Sequence, residues 1–215
     1  MDSRRTVAPV TLWAHSAHVD PLQRLHRSIR ACTRCADAGY IPVARPVVAG
    51  SALDRIAIIG QAPGVVELTT GQPFSGRSGA ILRRWLADAG ISESELPYRT
   101  AITKCFPGKA LSGVGDRRPS SAEVALCAPW LDAELELLQP RVVVLLGTMA
   151  IDRFWGRVPL EEAVGQRRRE AGRVLLPFPH PSGASRWLND PAHAELLAKA
   201  IRLLRREAIA LRTSH

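Results

Sequence analysis

Lysine is nearly missing from this chain. Lys104, Lys109 and Lys199 are the lysines among 29 basic residues, and all the others are arginines. Acidic residues number 20, which leaves a formal net charge of +9. That balance favours a polyanionic partner, because each phosphate neutralised releases counterions. Arginine adds a two-donor grip on a phosphate. The competing reading is a solvated basic surface without a partner. Long apolar runs are missing too. No segment reaches the roughly 18 apolar residues of a membrane helix, so a helical membrane span is excluded. Met1 to Arg5 is charged and no apolar stretch follows it, so no signal peptide is expected and the cytoplasm is the expected compartment. Cysteine is sparse, with four in 215 residues. In the cytoplasm these are metal ligands, nucleophiles or core filler rather than disulfides. No internal repeat is present, and ordinary hydrophobic content argues against general disorder.

What is there reads as alternating strands and helices. Residues 1–20 are expected to be a weakly ordered arm and residues 21–215 one domain. A helix is predicted over Pro21–Arg30, with Leu22, Leu25 and Ile29 on one face. Ile56 to Gly60 and Val142 to Gly147 are short apolar runs typical of buried parallel strands. Tyr98 to Lys104 and Val174 to Pro177 complete the strands. Gln61 to Gly79 is rich in turns, and a helix with Ile81, Leu82, Trp85, Leu86 and Ala89 at helical spacing follows, stopped by Gly90. Ser120 and Glu123 form a capping box for a helix carrying Val124, Cys127, Leu131, Leu135 and Leu138 on one face. A short helix is predicted to about Trp155, a hairpin-like basic stretch over Arg167 to Arg169, and a last helix over Pro191 to Arg212. The pattern predicts an α/β fold: one central, mainly parallel sheet flanked by helices on both faces. Ligands of such sheets sit outside the carboxyl ends of the strands.

Three features carry chemistry. Cys32 and Cys35 form a close pair, while Cys105 follows a strand and Cys127 lies on a helix. A zinc ribbon usually shows two close pairs, and one pair plus two dispersed cysteines suits a four-thiolate iron–sulfur site at least as well. Cys127 also reads as core, and the CxxC as a redox pair. Gly60-Gln61-Ala62-Pro63-Gly64 ends a buried strand in a tight turn that lets backbone amides approach a ligand. The following Gly71 to Gly79 places Phe74 in the same loop system and lacks the GK[ST] ending of a phosphate-binding loop. His180 stands between two prolines with Ser182 beyond, a stiff setting for a directed hydrogen-bond donor.

Taken in order, these segments resemble the iron–sulfur branch of the uracil-DNA glycosylase superfamily, of the family 4 and family 5 type. The carrying residues are Cys32-x-x-Cys35, Gly60 to Gly64, Gly71 to Gly76, Thr103-Lys104-Cys105, Cys127 with Pro129-Trp130-Leu131, Val142 to Gly147, and His180-Pro181-Ser182. The resemblance covers about Ala31 to Leu204. It implies a structural 4Fe-4S cluster on Cys32, Cys35, Cys105 and Cys127. It also implies a base pocket formed by Gly60, Ala62, Pro63, Phe74 and Ala101, with Phe74 stacking on an extruded base. Gln61 and His180 take the catalytic positions, His180 donating to the base carbonyl as negative charge grows there. Lys104, Arg117, Arg118, Ser182 and Arg186 are expected to contact DNA. The implied partner is DNA containing uracil or another deaminated base, bound by a monomer.

Two departures from the family pattern stand out. Family 4 members usually have glutamate where this chain has Gln61, and asparagine where it has Ala101. A carboxamide cannot serve as a general base at neutral pH, though it can orient a water or read a base edge. Glu67 is the nearest carboxylate, with a surface role expected, and Asn189 is expected to cap the last helix. The loop from Gly113 to Ser120 has no histidine, so no stable covalent DNA adduct is expected. Three functions are in competition: a monofunctional glycosylase, a non-catalytic lesion- or abasic-DNA-binding protein that keeps the pocket, and a redox or zinc protein unrelated to DNA.

Overall fold

In the computed structural model, which describes residues 20–113, 115–182 and 187–213, the apolar runs of the sequence become strands of one sheet. β1 spans Ile56–Gly60, β2 Tyr98–Ala101, β3 Val142–Leu146, β4 Arg168–Glu170 and β5 Arg173–Phe178. The order is β2-β1-β3-β5-β4. The pairs β1–β2, β1–β3 and β3–β5 are parallel. β4 pairs antiparallel with β5, so the basic stretch is the first arm of a hairpin. Parallel neighbours need crossovers, and these are the helices: α3 (Val65–Thr70) and α4 (Arg77–Asp88) between β1 and β2, α5 (Ser121–Leu138) between β2 and β3, and α6 (Thr148–Phe154) with α7 (Leu160–Ala163) after β3. Before β1 lie α1 (Pro21–Arg30) and the single turn α2 (Arg34–Asp37), and α8 (Pro191–Thr213) ends the chain.

Alternation along each strand divides the interior in two. Ile58, Val142, Val144, Val174, Leu176 and Phe178 face one layer, where they meet Leu82, Trp85 and Leu86 of α4 and Leu197, Ala200 and Leu204 of α8. Ala57, Ile59, Val143, Leu145 and Leu175 face the other, against Leu22 of α1, Leu131, Leu135 and Leu138 of α5, and Ala150 and Ile151 of α6. Both faces are thus covered, as the sequence pattern predicts. The expected helix starts hold as well: Asp20 accepts from the Leu22 amide, and Ser120 and Glu123 cap α5 reciprocally. The predicted cap at Asn189 is displaced by one residue. Asp190 accepts from the Ala192 amide, while Asn189 lies in a single 3-10 turn.

β2 ends earlier than its sequence predicts, and the cause is Lys104. Its ammonium turns back into the protein, donating to the Ala101 carbonyl at 2.9 Å, to the Thr100 hydroxyl at 2.5 Å and to Glu134 Oε2 at 2.6 Å. Lys104 is 2% exposed and Glu134 is fully buried. Glu134 also accepts from Tyr98 at 2.9 Å and Thr100 at 2.7 Å, and the Tyr98 hydroxyl meets His26 Nε2 at 2.8 Å. One carboxylate therefore joins α5, β2, α1 and the segment after β2. Its lone pairs are well occupied, which is what a buried charge requires. Replacing Lys104 with methionine leaves that carboxylate unpaired. It should lower unfolding free energy by about 3–5 kcal/mol, read from the shift in the urea midpoint at unchanged slope.

Candidate active site

The carboxyl ends of β1 and β2 and the segment after β5 converge on a cavity of about 610 Å³. Gln61, Ala62, Pro63, Phe74, Ala101, His180 and Ser182 all line it. Gly60 closes β1 beneath Phe74: a Cβ there would stand 2.7 Å from the ring tip. Phe74 has φ +56°, a conformation rarely adopted outside glycine. Its carbonyl lies so close to Gly79 of α4 that a Cβ at 79 would overlap it. The Arg83 guanidinium donates to the same carbonyl at 3.3 Å. The ring's position is thus over-determined by two glycines and an arginine, the circumstance in which a strained residue persists at a functional site.

Gly147, at φ +79°, plays the same part after β3. A Cβ would stand 3.1 Å from Cβ of His180 and 3.3 Å from its Cδ2. His180 stands just beyond β5, after Pro179, and the Ser182 amide donates to its carbonyl at 2.9 Å, tightening the turn. Burial pushes the His180 imidazole below its usual 6.5. The ring is then neutral at neutral pH and offers one donor and one acceptor.

Glu67 is buried, not at the surface. Its Oε2 accepts from the Gly64 amide at 3.0 Å and its Oε1 from the Gly76 amide at 2.9 Å. It staples the first loop to the second, and the Gly64–Glu67 spacing is that of a half capping box, a signal legible in the sequence. Gly64 itself leaves room for two carboxylates: a Cβ would meet Glu67 Oε2 at 2.9 Å and Asp116 Oδ2 at 3.2 Å. Gly147 and Asp116 act through contacts distant in the chain, with His180 and Gly64, and no local pattern shows those pairings.

The expected DNA contacts divide. Arg118 and Ser182 line the cavity, and Arg118 is exposed. Arg186 lies outside the described residues. Lys104, expected to face DNA, is corrected to an interior role by its ion pair with Glu134. Arg117 lines the cavity but holds Glu123 through both terminal nitrogens, at 2.7 and 2.8 Å, and donates to the Tyr40 carbonyl. Its guanidinium is an anchor for the loop rather than a free phosphate ligand.

A second, smaller cavity brings Cys32, Cys35, Cys105 and Cys127 together with Thr103, Glu123 and Trp130. Among the described residues no group of three Cys, His, Asp or Glu side chains stands close enough to hold a single metal ion. Four thiols spread around a space fit a group of several atoms better than one tetrahedral ion with sulfurs about 2.3 Å away. The surroundings are built for charged sulfur. The Lys104 amide donates to Cys127 Sγ at 3.2 Å and Trp130 Nε1 to Cys32 Sγ at 3.3 Å. The buried Thr103 hydroxyl has no partner among the described residues, a donor left over for a bound group. Burial pushes the Cys105 and Cys127 thiols up, to about 12 and about 11, and raises Cys35 as well. A metal would be needed to deprotonate them.

Two histidines, His26 buried and His180 half-buried, make stability pH-dependent. Burial lowers both His180 and His26 below 6.5. The unfolded chain then binds more protons than the folded one as pH falls through that value, so stability is lost on acidification. Urea midpoints should fall below about pH 6.5, and His180→Ala should flatten that fall. NMR of the ring should place the His180 titration below the unfolded value.

With the geometry in hand, the comparisons fit. The family model described as the uracil DNA glycosylase superfamily matches residues 48–205. A type-4 uracil-DNA glycosylase of Thermotoga maritima is 34% identical over 158 residues, covering 72% of this chain and 78% of that protein. Another, of Pyrobaculum aerophilum, is 31% identical over 153 residues, 71% of each chain. A type-5 uracil-DNA glycosylase of Thermus thermophilus is 35% identical over 160 residues, 65% of this chain and 70% of its own. Two glycine-cleared strand ends, one holding an aromatic ring and the other an imidazole, thus stand in a chain that belongs to the uracil DNA glycosylase superfamily.

Proposed function

We propose that this chain is a monofunctional DNA repair glycosylase that flips a deaminated base, uracil first, out of DNA and hydrolyses its N-glycosidic bond. The observation that carries this reading is the pairing of Phe74 and His180 across one cavity, each seated on a glycine at a strand end. A stacked base is out of reach of any side chain and must be extruded into a pocket. Phe74 supplies the face on which it stacks, between Gly60, Ala62, Pro63 and Ala101. As the bond to the sugar breaks, the base becomes anionic. The neutral His180 ring donates to the base carbonyl oxygen, where that charge gathers, and a fixed donor there lowers the barrier. Gln61 orients the water. Arg118 and Ser182, with Arg186, hold the phosphates. The protein works as a monomer in the cytoplasm on its domain of residues 21–215, and no helix among the described residues is long and apolar enough to cross a membrane.

The four cysteines would hold a 4Fe-4S cluster. Its contribution when bound is structural, tying the CxxC segment to the end of β2 and to α5. The residues around it provide the amide and indole donors that thiolate sulfur requires. Purified protein should be brown, and Cys105→Ser should remove the visible absorption and lower the melting temperature. A colourless parent with stoichiometric zinc would overturn the cluster.

Base release tests the activity. Single- and double-stranded oligonucleotides carrying uracil should lose the base, and His180→Ala should slow single turnover by about 10²–10³-fold. A His180→Ala variant as fast as the parent would sink the mechanism. The second reading, a DNA-binding protein without chemistry, draws on Gln61 and Ala101, which put neither an acid nor an amide where the family usually has them. No release from uracil, hypoxanthine or xanthine DNA, with salt-sensitive binding retained, would favour it.

A further inference from the structure

We propose that Asp116 is the carboxylate that takes the proton from the attacking water, a role Gln61 cannot fill. This rests on the glycosylase reading. Among the described residues that line the large cavity, two are carboxylates, Glu67 and Asp116. Glu67 is committed: each of its oxygens accepts a backbone amide, and the side chain is buried between two loops. Asp116 is differently placed. Its Oδ1 accepts from Lys109 at 2.8 Å, while Oδ2 is turned to the first loop and comes within 3.2 Å of where a Gly64 side chain would begin. The absence of that side chain leaves the oxygen open to the cavity that Gln61 and His180 also line.

The loop that carries Asp116 is long but pinned. Lys109 and Asp116 form an isolated antiparallel bridge. The Ala110 amide donates to the Gly115 carbonyl at 3.1 Å and the Arg117 amide to the Gly108 carbonyl at 3.0 Å. Arg117 then fastens the loop to Glu123 of α5. A carboxylate held by backbone pairing on one side and a two-point ion pair on the other has a fixed direction, the condition for useful proton transfer.

The step balances. The bond from C1′ to the base nitrogen breaks, and its electron pair leaves with the base. Water oxygen forms the new bond to C1′, and its proton passes to the Asp116 carboxylate. The base anion takes a proton from solvent, and Asp116 returns its own to solvent. The same negative charge favours the cation-like sugar before water attacks.

Single-turnover release of uracil from single-stranded DNA, with enzyme saturating, tests this on the full chain. Asp116→Asn should be about 10²–10⁴-fold slower, with DNA affinity by anisotropy unchanged. Asp116→Glu should recover part of the rate. Lys109→Ala breaks the same ion pair but keeps the carboxylate, and should stay close to the parent. An active parent matched by Asp116→Asn would overturn the assignment alone, as would Lys109→Ala as slow as Asp116→Asn. A parent that releases no base would instead overturn the glycosylase reading on which it rests.

Discussion

The buried carboxylate of Glu134 is the interaction on which the two halves of the site depend. It accepts from Lys104, Thr100 and Tyr98, so α5 is tied to β2 through charge and two hydroxyls. Lys104 passes that constraint in both directions. Its ammonium fixes the Ala101 carbonyl at the wall of the large cavity, and its backbone amide donates to Cys127 in the small one. The thiol cavity and the pocket are thus consecutive along a few residues, Ala101 to Cys105, and neither can shift without the other. A buried ion pair is weak evidence for stability. Its value here is register: it fixes where β2 stops and which way the chain leaves it.

Crowding at the strand ends is the second constraint. β1 and β3 lie side by side, and a glycine closes the first and follows the second, each lacking a side chain where a group from elsewhere packs, Phe74 over Gly60 and His180 over Gly147. These are close approaches of the kind that make glycine necessary. They explain why the site lies at this end of the sheet. The helices cover both faces, so the open surface at the strand ends is where loops can meet.

Much of this was legible in the sequence because it is local. Strand alternation, the Ser120–Glu123 box and the glycine-rich turns act over a few residues, and they gave the sheet, the crossovers and the pocket loops. The comparisons confirm the family that the motif order suggests. What was not legible is pairwise and distant. Lys104 beside a cysteine, in a basic chain, reads as a surface cation until Glu134, thirty residues on, is seen to face it. Arg117 reads as a phosphate ligand until Glu123 takes both its nitrogens. Glu67 reads as a loop carboxylate until Gly76 is folded over it. In each case a charged residue was assigned to solvent or ligand because its protein partner lay in another element.

That correction changes what the net charge means. Many of the arginines that produce the value of +9 are occupied within the fold. Arg30 donates to the Val48 carbonyl, Arg168 to the Phe154 and Trp155 carbonyls, Arg173 to the Leu135 carbonyl, and Arg205 and Arg212 to the Asp88 and Gly90 carbonyls. A guanidinium that closes a helix end or a turn keeps its charge, so it still adds to the field that draws a polyanion in. Each of these ties uses one or two of its five donors and holds the side chain against the fold. Arginine suits this double duty better than lysine, because its five donors can satisfy a carbonyl and leave the charge undiminished. Lys104 is the compact counterpart: its ammonium has three donors and meets three oxygen acceptors, the Thr100 hydroxyl, the Ala101 carbonyl and the Glu134 carboxylate. Charge thus serves the fold as well as the attraction of a polyanion.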